Sequence, residues 1–311
     1  MILEGNKLPA FHSLLASTVD YAGLFPPAKL DLEPALSVYR SARRSSESWM
    51  LGSFVIARSR LEELEAVVDG YLPEAGSGAA WSLSVVLDET DGDLVREFDE
   101  LRARWQGRML VASVEVPPKT PGEIAALEAR LPEDVVTFFE VPLDDSIDRR
   151  LEAVAGCGAE AKIRTGGVVA KAFPSVPEVA RFLLACKELG VPFKATAGLH
   201  HPLRGPQRIV PEQEAMCWMH GFLNLTLAAV LLSTGTIADD ELVEVLSESE
   251  ATAFSFSHGR IVWRDREVTV EQIERSRRTF FSSFGSCSFD DPVQDLAALG
   301  LLDRQARLEP V

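Results

Sequence analysis

This sequence has little that would tie it to a membrane, a nucleic acid or an oxidising compartment. Its 311 residues include 31 lysines and arginines against 47 aspartates and glutamates, a net charge of −16. Such a surface repels DNA, RNA and anionic lipid, so neither nucleic acid nor membrane is an expected partner. The longest apolar stretch, residues 223–232, is broken by Asn224 and Thr226. It is about half the roughly 20 residues that a spanning helix needs. Residues 1–9 carry Glu4 and Lys7 and lack an apolar signal core. Only four cysteines occur, Cys157, Cys186, Cys217 and Cys287, with no C-x-x-C pair. Their wide spacing in a long chain points to reduced thiols and a cytoplasmic protein. No G-x-G-x-x-G or G-x-x-x-x-G-K-[ST] loop follows an apolar run, which disfavours a nucleotide-binding sheet. No G-x-S-x-G elbow is present, which disfavours acyl transfer by a serine triad.

What is present is a regular alternation. Hydrophobic residues make up 46% and charged residues 25%, a globular composition. Short apolar, β-branched runs at residues 50–57, 81–88, 109–116, 135–141, 160–165 and 191–197 are separated by helical patterns. They start roughly 24–32 residues apart, the length of one βα unit. Nearly continuous apolar runs suit strands buried on both faces, as in parallel sheets. The pattern predicts an α/β fold, a (β/α)8 TIM-type barrel, as one domain over residues 1–311. Residues 252–257 and 280–289 are the expected seventh and eighth strands. Residues 1–45 are expected as an N-terminal cap. Residues 199–250 are expected as an insertion, with a helix near 212–232.

Charges stand at the ends of these runs, where a barrel keeps its active site. Asp88 ends the second run, Glu115 lies in Val-Glu-Val-Pro and Glu140 in Phe-Glu-Val-Pro. Lys162 and Arg164 alternate on one strand, as do Lys194 and Thr196 on the next, so each pair shares a face. If those faces point inward, two lysines, an arginine and two glutamates crowd one barrel mouth. A lysine beside another cation loses affinity for its proton, and a neutral amine attacks carbonyls to form a Schiff base. Glu115 and Glu140 would then move protons. The plain alternative is an ion-pair layer without chemistry.

The segments Lys162-Ile163-Arg164-Thr165-Gly166 and Lys194-Ala195-Thr196-Ala197-Gly198 fit K-x-x-T-G and K-A-[ST]-x-G on successive strands. This ordered pair resembles class I aldolases of the deoxyribose-phosphate type. The resemblance implies a barrel lyase in which Lys162 forms the Schiff base and Lys194 lowers its pKa, with no cofactor. Asp20-Tyr21-Ala22-Gly23 is similar to the family's opening acidic motif. Gly285-Ser286-Cys287-Ser288 is similar to its phosphate loop. By the count of runs Lys162 falls on the fifth strand, whereas the resemblance implies the sixth. The expected activity is carbon–carbon cleavage of a small, anionic aldehyde or keto acid. The expected substrate contacts are Arg164, Thr165, Gly166, Gly167, Thr196, Gly198, His200, His201, Gly285 and Ser286.

Other readings remain open. His200, His201 and His220 with Glu214 and Cys217 are candidate metal ligands, but adjacent histidines on extended chain point apart, and no metal is expected. A metal-assisted or acid–base isomerase or dehydratase using His200, His201 and the glutamates is the first rival. A non-catalytic, degenerate barrel is the second. Cys287 is expected at a helix N-terminus, where a thiolate is favoured. The apolar segment 20–29 reads as a lid over the mouth or as a contact within a homo-oligomer.

Overall fold

Eight parallel strands close on themselves in the order β1-β13-β7-β6-β5-β4-β3-β2 in the computed structural model, which describes residues 8–74, 80–210 and 214–302. The barrel strands are β1 (Val19–Tyr21), β2 (Leu51–Ala57), β3 (Trp81–Val86), β4 (Met109–Val116), β5 (Val136–Glu140), β6 (Glu160–Arg164), β7 (Phe193–Thr196) and β13 (Phe281–Ser286). A sleeve of helices surrounds them. It includes α2 (Leu32–Ala42), α3 (Leu61–Val67), α4 (Leu94–Trp105), α5 (Pro121–Glu128), α6 (Ile147–Cys157) and α7 (Val176–Leu189). The (β/α)8 barrel expected from the run-and-helix alternation is therefore the fold. Among the described residues no helix is long and apolar enough to cross a membrane.

One expected barrel strand is replaced by another. Residues 252–257 do not enter the barrel. They supply β10 (Phe254–Phe256), which pairs antiparallel with β11 (Arg260–Trp263), and β11 pairs with β12 (Arg266–Thr269). The missing barrel strand is β1, inside the segment expected as a cap. It pairs with β13 on one side and β2 on the other. Three residues are too short a run for periodicity to register, yet Val19, Asp20 and Tyr21 are all buried. Ahead of β1 lies α1 (Pro9–Leu15), packed against β11, while β1 and α2 belong to the barrel, so the described part of 1–45 is not a single cap. Counting from β1, Lys162 stands on the sixth barrel strand, not the fifth.

The 199–250 segment is also not a simple helical insertion. It opens with a hairpin, β8 (Gly205–Arg208) and β9 (Met216–Met219), so strand replaces the first part of the helix expected near 212–232. Residues 212 and 213 lie outside the described residues. Then α8 (Phe222–Ser233) serves as the outer helix of the seventh unit. Residues 222–232 of α8 are all buried, since it packs between β13 and the neighbouring α7, α9 (Leu242–Ser247) and α10 (Val270–Thr279). A helix apolar all round demands such enclosure. Asn224 survives there because its amide donates to the carbonyls of Val245 and Glu248, at 2.8 Å each.

The crossover from β6 to β7 sets the site. Ser175 caps α7 and Glu178 returns a bond to the Ser175 backbone, with Pro177 in the first turn. Gly190 ends the helix in the left-handed conformation. The loops leaving β6 and β7 then cross almost in contact. A Cβ on Gly166 would meet Gly198 Cα at 2.8 Å, so that crossing needs glycine.

Candidate active site

The register of the parallel strands aligns the charges. Glu140 on β5 is level with Lys162 on β6, and Lys162 is level with Lys194 on β7. Neighbours at one level of a parallel sheet face the same way, here into the barrel. The acid and base groups consequently form a chain rather than a scatter. Lys194 Nζ donates to Asp20 Oδ2 at 2.5 Å and to Glu115 Oε1 at 2.7 Å. Lys162 Nζ donates to Glu115 Oε2 at 3.1 Å and lies 3.1 Å from Glu140 Oε2. Arg164 Nε donates to Glu140 Oε1 at 3.3 Å. The order Asp20, Lys194, Glu115, Lys162, Glu140, Arg164 alternates in sign at every step.

The inner end of this chain is almost wholly buried, with only the edge of Asp20 on a second cavity lined by Ser53, Ser82, Ser113 and Ser283. The Lys194 side chain is 1% exposed, and its ammonium sits 5.1 Å from the centre of the Phe138 ring. Asp20 Oδ2 also accepts from the Ser283 hydroxyl at 2.6 Å, and its Oδ1 accepts from the Ser53 N–H at 2.8 Å. Ser84 donates to Glu115 at 2.9 Å and receives from Ser113 at 2.9 Å. Burial alone would push the Glu115 carboxyl up. The Lys194 and Lys162 charges and their hydrogen bonds more than offset it and hold that carboxyl far below the usual range. Burial would likewise lower the Lys194 ammonium, but Asp20 and Glu115 raise it above the ordinary lysine value.

The outer end opens into a cavity of about 430 Å³ at the C-terminal mouth of the barrel. Lys162, Glu140, Arg164 and Glu115 reach it from one side, and His200, Gly285 and Cys287 from another. Phe25, Pro26 and Pro27 line it as well, which puts the apolar segment 20–29 across the mouth. The exposure of the side chains rises outward, from 5% at Lys162 and 13% at Glu140 to 53% at Arg164.

The expected substrate contacts divide accordingly. Arg164, Gly167, Thr196, Gly198, His200 and Gly285 border the cavity. Thr165 is buried, its hydroxyl donating to the Ala197 carbonyl at 2.6 Å, and Gly166 serves the loop crossing. Both are structural rather than substrate contacts. That staple holds Ala197 in the left-handed region, at φ 64°, on the cavity wall. His201 is turned away to Asp295 at 2.6 Å and does not border the cavity. Ser286 is buried, sharing its hydroxyl with the Ser288 carbonyl at 2.7 Å. Asp88 binds the backbone N–H and hydroxyl of Ser59, outside the cavity.

The histidines do not converge. His220 Nε2 pairs with the Pro174 carbonyl at 2.8 Å, while His200 faces Cys287. Among the described residues no three His, Cys, Asp or Glu side chains gather as metal ligands. All four cysteines are free thiols.

Four side chains were not read beforehand as partners of these groups, although Asp20 stood in the opening acidic motif. Asp20 is the second carboxylate of Lys194. Asp291 holds His200, with Nδ1 3.3 Å from Oδ2. Ser84 and Ser113 brace Glu115. The one available signal was polarity inside apolar runs: serine at alternate positions 82 and 84 marks a strand face that is not oily.

No family model matches this chain, and no curated protein matches it. Among solved structures it is similar to a mandelate racemase/muconate lactonizing enzyme-like protein from Rubrobacter xylanophilus. Identity is 15%, the TM-score is 0.37, and the match covers 62% of this chain. It covers 49% of that protein, so the chain matches about half of that protein's length.

The Schiff-base aldolase expected from the lysine pair is corrected by this geometry. That mechanism needed two ammonium groups repelling each other so that one became a free amine. Glu115 stands between them and binds both, and Lys194 is held more firmly protonated than an ordinary lysine.

Proposed function

We propose that this barrel is a proton-transfer enzyme of the isomerase or dehydratase class, acting on a small oxygenated carboxylate. The observation that carries the reading is the Glu140 carboxylate, gripped by Lys162 and Arg164 yet open to the cavity. Removing a proton next to a carbonyl or carboxylate builds negative charge on its oxygens. A fixed cation in a poorly solvated site offsets that charge without reorganising. Lys162, 5% exposed and braced from below by Glu115, is such a cation. Arg164 is half exposed, and its planar guanidinium suits a substrate carboxylate. Glu140 then accepts the carbon-bound proton, and Lys162 supplies or withdraws a proton at oxygen. Return of the proton to a second carbon gives isomerisation. Loss of a neighbouring hydroxyl as water gives dehydration.

The test is solvent exchange. The protein is incubated in D2O with a panel of small 2-hydroxy and 2-oxo carboxylates, in parallel with a chelator and with a divalent cation. Deuterium at C2 of the hydroxy acids or at C3 of the oxo acids, followed by proton NMR, is expected. Glu140→Gln should slow it by about 100-fold or more. No exchange with any acid of the panel under either condition would sink the proposal.

A further inference from the structure

Cys287 belongs to no part of that proton transfer, yet it is built as a reactive group. Its sulfur borders the cavity in the turn between β13 and α11 (Asp290–Ala298). His200 Nε2 lies 3.7 Å from Sγ. The other nitrogen of that ring, Nδ1, lies 3.3 Å from Asp291 Oδ2 and 3.3 Å from the Ser286 hydroxyl. A thiol, a histidine within reach of it and a carboxylate orienting the histidine make a nucleophilic triad. The three come from two different βα loops, brought together because β7 and β13 are neighbours in the barrel.

We propose that Cys287, His200 and Asp291 form a covalent site that captures a small aldehyde, one carrying a carboxylate, as a reversible hemithioacetal. The Sγ lone pair forms the C–S bond. The C=O π pair moves onto oxygen, which takes the proton from His200 Nε2. Nothing leaves, and no oxidant or reductant is used. Arg164, on the rim of the same cavity, supplies the cation for the carboxylate. The charged state of the ring supports the geometry. Burial would lower the His200 pKa, but its bonds to Asp291 and Cys287 raise it to about 9. The ring is placed to hydrogen-bond the sulfur and to hand its proton to the carbonyl oxygen. The other ionisable groups around Cys287 are Tyr21 on β1 and Asp290 on α11, and burial foremost, then Cys287 and Asp290, keep the Tyr21 phenol protonated.

The experiment reads the sulfur itself. Iodoacetamide labelling of the whole protein is followed by mass spectrometry from pH 5.5 to 9. Cys287 is expected to label at pH 6 at least tenfold faster than Cys157 or Cys217 in the same sample. His200→Asn, with its fold checked by circular dichroism, should cut that rate at pH 6 by tenfold or more. Glyoxylate labelled with 13C at its aldehyde carbon should protect Cys287 saturably. It should also give a protein-bound tetrahedral carbon signal, distinct from that of the free hydrate, that Cys287→Ser abolishes. Labelling of Cys287 no faster than of Cys157 and Cys217, or absence of both protection and the tetrahedral carbon in the wild-type protein, overturns the proposal. Deuterium exchange at Glu140 and labelling at Cys287 are separate readouts, so either reading can fail while the other holds.

Discussion

The inner and outer ends of the barrel lumen are built from the same few side chains and left in opposite conditions. At the inner end Lys194 has Asp20 and Glu115, both carboxylates are braced by serines or backbone, and almost nothing is exposed. At the outer end Glu140, Arg164, His200 and Cys287 border the cavity. Lys162 is the joint between the two, bound to Glu115 below and Glu140 above. The difference teaches that charge in a barrel interior is not by itself an active site. A buried ion chain whose bonds are all made is scaffold, and its function is to aim the last members that are not closed off. Glu115 is pinned by two lysines, whereas Glu140 faces the cavity.

The largest effect should come from breaking the inner end. Lys194→Met leaves two buried carboxylates without their shared cation, and a loss of about 3–5 kcal/mol in urea unfolding is expected. Adding Asp20→Asn and Glu115→Gln to that variant should recover much of the loss, because the buried charges are then gone. A single variant as stable as the wild type would mean that the inner chain is not scaffold. The next effect is a pH dependence. His200 has its pKa raised from about 6.5 in the unfolded chain to about 9 in the fold. A raised histidine stabilises the fold fully below its unfolded pKa and ceases to do so as pH climbs through the folded value. Between pH 6.5 and 9.5 the wild type should lose on the order of 3 kcal/mol that His200→Asn does not lose. Equal pH slopes in the two proteins would remove His200 from the account. The smallest effect on stability sharpens the contrast: Arg164→Ala, half exposed, should change unfolding by less than about 1 kcal/mol. The same variant should raise KM for any carboxylate substrate by tenfold or more, and an unchanged KM would take Arg164 out of the site.

Much of the fold was open to sequence reading, and the exceptions have physical causes. The seven barrel strands from residue 50 onward were legible because each lies in an apolar run of six or more residues. β1 was not, since a run of three carries no periodicity, and its aspartate looks like a turn residue. The β10 segment reads as a strand and is one. Whether a strand joins the barrel or a separate hairpin sheet depends on partners, and residues 260–269 supply those locally. At the site, the inward-facing alternation of Lys162 with Arg164 was visible, as was the crowding of charges at the strand ends. The sign of their effect on one another was not. Two lysines on neighbouring strands repel if they face each other and do not if a glutamate from β4 reaches between them. Glu115 comes from a strand two places away from Lys162.

By itself the sequence determined the barrel: apolar runs at βα spacing have few other ways to bury both faces. It also determined that lysine, arginine and glutamate would meet at the C-terminal ends of the strands, because alternation along a strand fixes which side chains share a face. Only the tertiary structure decided the charge state of that meeting. The strength of an ionic interaction depends on distance and burial, and both were set by closing β1 against β13. Closure of β1 against β13 brought Asp20 to Lys194, and the pairing of β13 with β7 brought Cys287 to His200.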